Sequence, residues 1–270
     1  KPVFADADID YMMDLHSISM VVTEKTKAIL PIDLTGMPAI NYRPDATGHI
    51  SLLRDACQSI GATMWGASSG NGNHADVAAY SLHPLKNVHA CGDGGMLVTD
   101  NARIADFARL YRNHGLQDRD TVVMPGINSR LDTLQAIAGR HMLQHLEEIT
   151  QARNRNAQQY DAGLMNLLQV TIPPRPDPMF FRQAFHTYVI QVEERAALQA
   201  FLAQHEIETK VHYPVPVHLQ PGYGFLGYKE GDFPNVERQA AHILSLPIHE
   251  YLLPGDVAWV IAKIREFYDH

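Results

Sequence analysis

Short, β-rich apolar runs recur through the first part of the chain, at Val3–Ala5, Ala28–Asp33, Ser51–Asp55, Val77–Leu82 and Met96–Thr99. Some are almost uninterrupted by polar residues, which is how strands buried on both faces read. A helix is predicted over Ala102–Tyr111, with Ile104, Phe107, Ala108 and Tyr111 on one face and His114-Gly115 closing it. Strands that alternate with helices in this way restrict the chain to an α/β architecture, a mostly parallel sheet covered by helices.

The longest helical pattern starts near Ser129, which has capping-box spacing to Asp132. Leu131, Leu134, Ala138, Met142, Leu146 and Ile149 follow at intervals of three or four, and the pattern runs on less cleanly toward Leu167. The proline-dense stretch Ile172–Pro178 cannot be helical. The sequence therefore predicts a domain boundary in the long helix or just after it. Residues 1–150 form a large domain, and residues 151–270 a small α+β domain. The small domain is built from a strand at Thr187–Val192, a helix over Ala196–Gln204 and a terminal helix over Gly255–Phe267.

Bulk properties exclude several classes of partner. A formal charge of −8 disfavours nucleic acid, because phosphate binding needs a surplus of Lys and Arg. No apolar run approaches the roughly 20 residues of a membrane helix, and KPVFADADID lacks the basic start and apolar centre of a signal peptide. The two cysteines, Cys57 and Cys91, make no disulfide framework, so the expected compartment is the cytoplasm. The 15 histidines never pair as HExxH and no CxxC is present, so no metal site is expected.

The stretch Ser81–Gly95 is the densest in chemistry. A buried strand ends at Ser81, Lys86 follows in the loop, and Gly92-Asp93-Gly94-Gly95 turns the chain into the next strand. A strand-end lysine beside glycine-rich backbone is one way of presenting a Schiff-base amine to a flat cofactor. The serine hydroxyl there can donate to a phosphate. Spacing alone fits a surface lysine in a tight-turned loop at least as well. Asp55, at the end of an apolar strand, sits where parallel sheets gather functional residues, and a pyridoxal ring nitrogen needs such a carboxylate. A helix N-cap is the alternative role for Asp55.

Taken together, these segments resemble the DegT/DnrJ/StrS family of pyridoxal-phosphate sugar aminotransferases. Pro2-Val-Phe-Ala-Asp6 is similar to its PVFVDVD strand, and Thr26–Pro31 with Gly36-Met-Pro38 to its TKAIIPVHLYGxP. Asp55-Ala-Cys-Gln58 with Gly61-Ala62 resembles EDAAQAxGA, and Ser81–Asn87 with Gly92–Gly95 resembles SFHPxKN…GEGG. Gly126–Arg130 with Leu134-Gln-Ala136 matches GxNxRxxxLQA, His212–Pro221 matches HYPxPxHLQP, and Leu244–Pro247 matches LSLP. One block would be weak; all of them in order over nearly the whole chain override the surface-loop reading of Lys86.

The resemblance implies a fold-type I pyridoxal 5'-phosphate enzyme, with a large cofactor domain, a small C-terminal domain and a homodimer sharing its active sites. Lys86 would carry the cofactor, Asp55 would pair with the ring nitrogen, and Gln58 would lie near the phenolic oxygen. Ser81 would hold the phosphate, Asn128 would reach the phosphate in the other subunit, and His212 and Tyr213 would lie near the substrate. Packing of a proline-rich loop is the competing role for His212, Tyr213 and His218. The implied reaction moves an amino group from glutamate to a keto sugar, most often nucleotide-linked. The resemblance also implies a family segment ahead of the PVFVD-like strand, with a phosphate-binding turn and a ring-stacking aromatic residue. This N-terminal segment is missing from the sequence, and the helix expected near Ala39–His49 reads as short or altered. Two alternatives follow: a sugar dehydratase, in which histidine replaces the lysine, and a non-catalytic or regulatory relative lacking the N-terminal cofactor segment. Lys86 speaks against the first. Joint retention of Lys86, Asp55, Gln58, Ser81 and Asn128 speaks against the second.

Overall fold

A computed structural model describes residues 1–39, 50–68, 70 and 74–269. Its earlier strands are β1 (Ala28–Ile29), β2 (Ser51–Asp55), β3 (Thr63–Met64), β4 (Ala67–Ser68), β5 (Val77–Ser81) and β6 (Gly95–Val98). The later ones are β7 (Val170–Thr171), β8 (Phe181–Arg182), β9 (Tyr188–Val192) and β10 (Ile243–Leu246). The helices are α1 (Leu15–Val21), α2 (Ala102–Tyr111), α3 (Thr133–Gln144), α4 (Leu146–Leu164), α5 (Arg195–Gln204), α6 (Pro234–His242) and α7 (Pro254–Tyr268).

The sheet that matters for the site is four-stranded, in the order β1-β2-β5-β6. Its first two pairings are parallel, with Asp55 opposite Ala79, and the last is antiparallel, with Ser81 opposite Gly95. The sheet is thus mixed, because the glycine turn before β6 sends the chain straight back beside β5. A second sheet, β10-β9-β7, is antiparallel. Tyr188, Ile190 and Val192 on it join Tyr160 and Leu164 of α4, Leu198 and Leu202 of α5, and Val257, Val260 and Ile264 of α7 in one buried cluster.

Four expectations are corrected. Val3–Ala5 is not a strand; Phe4 instead packs among Tyr223, Tyr228 and Phe233, with ring centroids 5.4–6.4 Å away. The Ala28–Asp33 run keeps strand geometry only over Ala28–Ile29, with one further bridge from Ile32 to Asp55. The long helix is two, because His145 breaks it between α3 and α4. The side chain that caps α3 is that of Asp132, accepting from the Leu134 amide at 2.8 Å, in place of Ser129. The break sets Leu146 and Thr150 against Gly61, where an added Cβ would lie 2.9 and 2.5 Å from them. The reading of residues 40–49 as short or altered lies outside the described residues. Among the described residues no helix is long and apolar enough to cross a membrane.

Polar groups lock the sheet to its loops. Arg54 and Asp33 form an ion pair at 2.9 Å with both side chains fully buried. Asp33 also accepts from the Ser59 hydroxyl at 2.5 Å and the Ala39 amide at 2.9 Å, and Arg54 donates to the Ala39 carbonyl at 2.9 Å. The Asp6 carboxylate accepts from the amides of Asn235 and Val236, each at 3.0 Å, at the start of α6. Removing one partner of a buried pair strands the other charge in a low-dielectric interior, at a cost of about 3–5 kcal/mol. Arg54→Met is therefore expected to lose about that much in urea unfolding. A loss below about 1 kcal/mol would show that the pair contributes little.

Candidate active site

The end of β2, the end of β5 and the loop after β5 converge. Parallel pairing of β2 with β5 brings Asp55 and Ser81 to the same end of the sheet. Beyond Ser81 the chain closes on itself: the Leu82 amide donates to the Gly94 carbonyl, Ala90 to Leu82, and Lys86 to His83, all at 2.8–2.9 Å. This narrow loop holds Lys86 half-buried while neighbouring Asn87 and Val88 are fully enclosed. The Ser81 hydroxyl accepts from the His83 amide at 3.1 Å, so its own O–H is left to donate elsewhere.

Burial lowers the proton affinity of the Lys86 amine below that of an ordinary lysine, and the nearby Asp55 charge acts in the opposite sense. The Cys57 thiol is pushed up to about 12, first by burial and then by Asp55. It is therefore a neutral thiol at physiological pH, not a nucleophile. One Asp55 oxygen accepts from the Cys57 amide at 3.0 Å, an Asx-type turn that aims the carboxylate past the end of the strand. Gln58 follows on this turn, and its Oε1 is buried with no hydrogen-bond partner. An orphaned buried carboxamide oxygen costs about 1–3 kcal/mol, so a hydrogen-bond donor from solvent or a bound molecule would relieve it.

His212 donates or accepts at Nδ1 with the Ser245 hydroxyl at 2.9 Å. Burial first, then the charges of Lys210 and Lys86, lower its basicity. Tyr213 is exposed and meets the His212 ring edge-on at 5.6 Å. His218 has a packing role: it is buried, 2.9 Å from Glu237 and edge-on to Phe233. Asn128 stands apart on an exposed segment, its Oδ1 accepting from Arg130 at 3.3 Å. Strand pairing and electrostatics thus bring together Lys86, Asp55, Ser81 and His212, with Gln58 on the turn after Asp55, while the described side-chain contact of Asn128 is with Arg130. Sequence reasoning missed Asn87, whose amide donates to the Ala184 carbonyl at 2.8 Å, and His186, 3.4 Å from the Asn87 oxygen. Asn87 sat inside a matched block; for His186 no local signal existed.

The sequence matches the DegT/DnrJ/EryC1/StrS aminotransferase family over residues 1–265. A pleiotropic regulatory protein of Geobacillus stearothermophilus is 39% identical, across 100% of this chain and 73% of the relative. A dTDP-3-amino-3,4,6-trideoxy-alpha-D-glucose transaminase of Streptomyces venezuelae is 35% identical, across 94% of this chain and 67% of the relative. The crystal structure of S. venezuelae DesV in complex with a ketimine intermediate superposes with a TM-score of 0.91 at 32% identity, across 100% of this chain and 73% of that one. The chain belongs to the DegT/DnrJ/EryC1/StrS aminotransferase family.

Burying Lys86 has a stability cost that sets a sign. Its proton affinity is lower folded than unfolded, so between the lowered folded value and the ordinary lysine value of 10.5 the unfolded chain binds more protons and stability rises with pH, while below that window the cost of the buried charge is fully present. Lys86→Met is expected to raise Tm at pH 7, and the gain should shrink as pH approaches 10.5. Thermal unfolding at a series of pH values checks this; a Tm lowered at pH 7 contradicts the burial argument.

Proposed function

We propose that the chain is a pyridoxal-phosphate-dependent aminotransferase that moves an amino group from glutamate to a keto sugar carried on a nucleotide. What carries this is the juxtaposition of a desolvated amine, Lys86, with the Asp55 carboxylate at the end of a parallel strand pair. The printed activity of the Streptomyces venezuelae transaminase supports the sugar class. The orphaned Gln58 oxygen is an independent sign that the site can accept a polar group; a carboxamide can present either its oxygen or its NH2 there.

In this reading Lys86 holds the cofactor through its amine, Asp55 receives the ring N–H, and Gln58 lies beside the phenolic oxygen. Ser81 donates to the phosphate. Asn128 serves the phosphate of the partner subunit, which accounts for its standing apart. When bound, pyridoxal phosphate supplies an electron sink for the pair released as a C–H bond breaks. The Lys86 amine, kept neutral more readily by burial, accepts the proton from the donor's Cα. Asp55 remains the acceptor that keeps the ring nitrogen protonated. Ser245 holds one nitrogen of His212 and leaves the other for substrate, with Tyr213 beside it. Residues 1–150 are the large cofactor domain and 151–270 the small one. The protein is a homodimer in the cytoplasm; exposed Leu97, Val98, Leu134 and Ile137 support a covering subunit.

A regulatory relative without catalysis is the second reading, favoured by the name of the Geobacillus protein. One experiment separates the two. Purified protein is mixed with pyridoxal phosphate, reduced with borohydride and mapped by peptide mass spectrometry. A visible band bleached by glutamate, with label on the Lys86 peptide, is expected. Lys86→Ala should lose at least about 10²-fold in turnover, and Asp55→Asn should also be strongly impaired. No band, or label scattered over many lysines, would leave the regulatory reading standing, and full activity in Lys86→Ala would overturn the role given to Lys86.

A further inference from the structure

The segment Ala184–His186 reaches the lysine loop from far along the chain and is gripped on three sides. The Ala184 amide donates to the Gly36 carbonyl at 2.8 Å. A Cβ on Gly36 would lie 2.8 Å from the His186 nitrogen, 3.0 Å from that of Phe185 and 3.0 Å from the Gln58 carbonyl. No larger residue fits there. On the second side, Arg153 donates to the Phe185 carbonyl at 3.0 Å and to that of His186 at 3.4 Å. Arg153 is itself anchored by Glu250 at 2.8 Å, in a pair that is about nine-tenths buried, at 7% and 11% side-chain exposure. The third grip is Asn87. Its NH2 is committed to the Ala184 carbonyl at 2.8 Å, so its oxygen is the end turned to His186, which donates from Nδ1 at 3.4 Å.

We propose that His186, acting through the Asn87 carboxamide, is a positioning residue that holds Lys86 in place against Asp55. The proposal rests on Lys86 being the reactive amine, as in the function given above. Asn87 adjoins Lys86 in the chain and is 1% exposed. Whatever fixes its side chain therefore fixes the backbone from which the lysine departs. The ring of His186 suits the role because it stays neutral. Burial first, then the positive charges of Lys86, Arg153, His212 and His83, push it down to about 3. It therefore adds no charge that would repel the amine, and it stays in one protonation state across the working pH range. Lys86 itself is lowered by burial, against which Cys57 and Asp55 both act.

The test measures the Lys86 amine directly, without relying on turnover. The full-length chain, freed of any carried cofactor by dialysis against hydroxylamine, is trace-labelled with acetic anhydride over a range of pH. Labelling of the Lys86 peptide is compared with that of exposed Lys25 in the same sample. Wild-type Lys86 should show its midpoint below that of Lys25. In Asn87→Ala and His186→Phe the Lys86 midpoint should move up toward Lys25, as the loosened loop lets water reach the amine. His186→Asn, which can place an NH2 near the position of Nδ1–H, should stay with wild type. Profiles of Asn87→Ala and His186→Phe that overlay wild type, even with a lowered Tm, would reduce the contact to simple packing and overturn the proposal. A shift in His186→Asn as large as in His186→Phe would overturn it too. If His186→Phe does not fold, Asn87→Ala alone decides by the same criterion. Failure of the wild type to take cofactor at Lys86 is a separate result: it sinks the proposed activity and leaves the labelling comparison readable.

Discussion

A guanidinium and a carboxylate, Arg54 and Asp33, are buried together at 2.9 Å, and the site hangs from that pair. Arg54 immediately precedes Asp55 in the chain, and Ser59, which donates to the second Asp33 oxygen, immediately follows Gln58. Asp33 therefore grips the turn from both ends, with the two candidate ring-binding residues between its anchors. A buried charge pair is a weak source of net stability, since desolvation offsets most of the attraction. What it supplies here is register. A shift of the turn by one residue would strand a charge, and that penalty is far larger than any gain from repacking.

The lysine loop is held on different terms. Lys86 gives up hydration for a half-buried position, and only the surrounding framework makes that tolerable. Backbone bonds close the loop from within, and Asn87 ties it to the distant segment Ala184–His186. That segment is in turn seated on Arg153 of α4, the helix whose buried Ala157, Tyr160 and Leu164 belong to the later β-sheet's core. Parts of the chain that build separate clusters thus meet at the loop. A second tie runs the other way, from Asp6 to the start of α6.

Local chemistry made some elements legible beforehand. Strand β2 and helix α2 lie within the bounds that apolar continuity and helical periodicity set, because each buries or presents its face with little help from elsewhere. Where a distant group competes, the local pattern misleads. Phe4 is claimed by aromatic rings more than two hundred positions away, so Val3–Ala5 forms no ladder. The apolar spacing through Met142, Leu146 and Ile149 is continuous, yet the helix is interrupted at His145, and Leu146 and Thr150 beyond it pack closely on Gly61.

By itself the sequence determined the alternation of strands and helices, the family blocks, and a lysine and an aspartate each at the end of an apolar strand. Those features are written in neighbouring residues, where periodicity, glycine freedom and side-chain type act over a few positions. The tertiary structure alone decided which of them share a site and how their protons behave. Desolvation of Lys86, pairing of Arg54 with Asp33 21 positions earlier, and contact of Asn87 with His186 99 positions later all depend on what the fold places alongside. Burial and charge act through space, and separation along the chain carries no record of them.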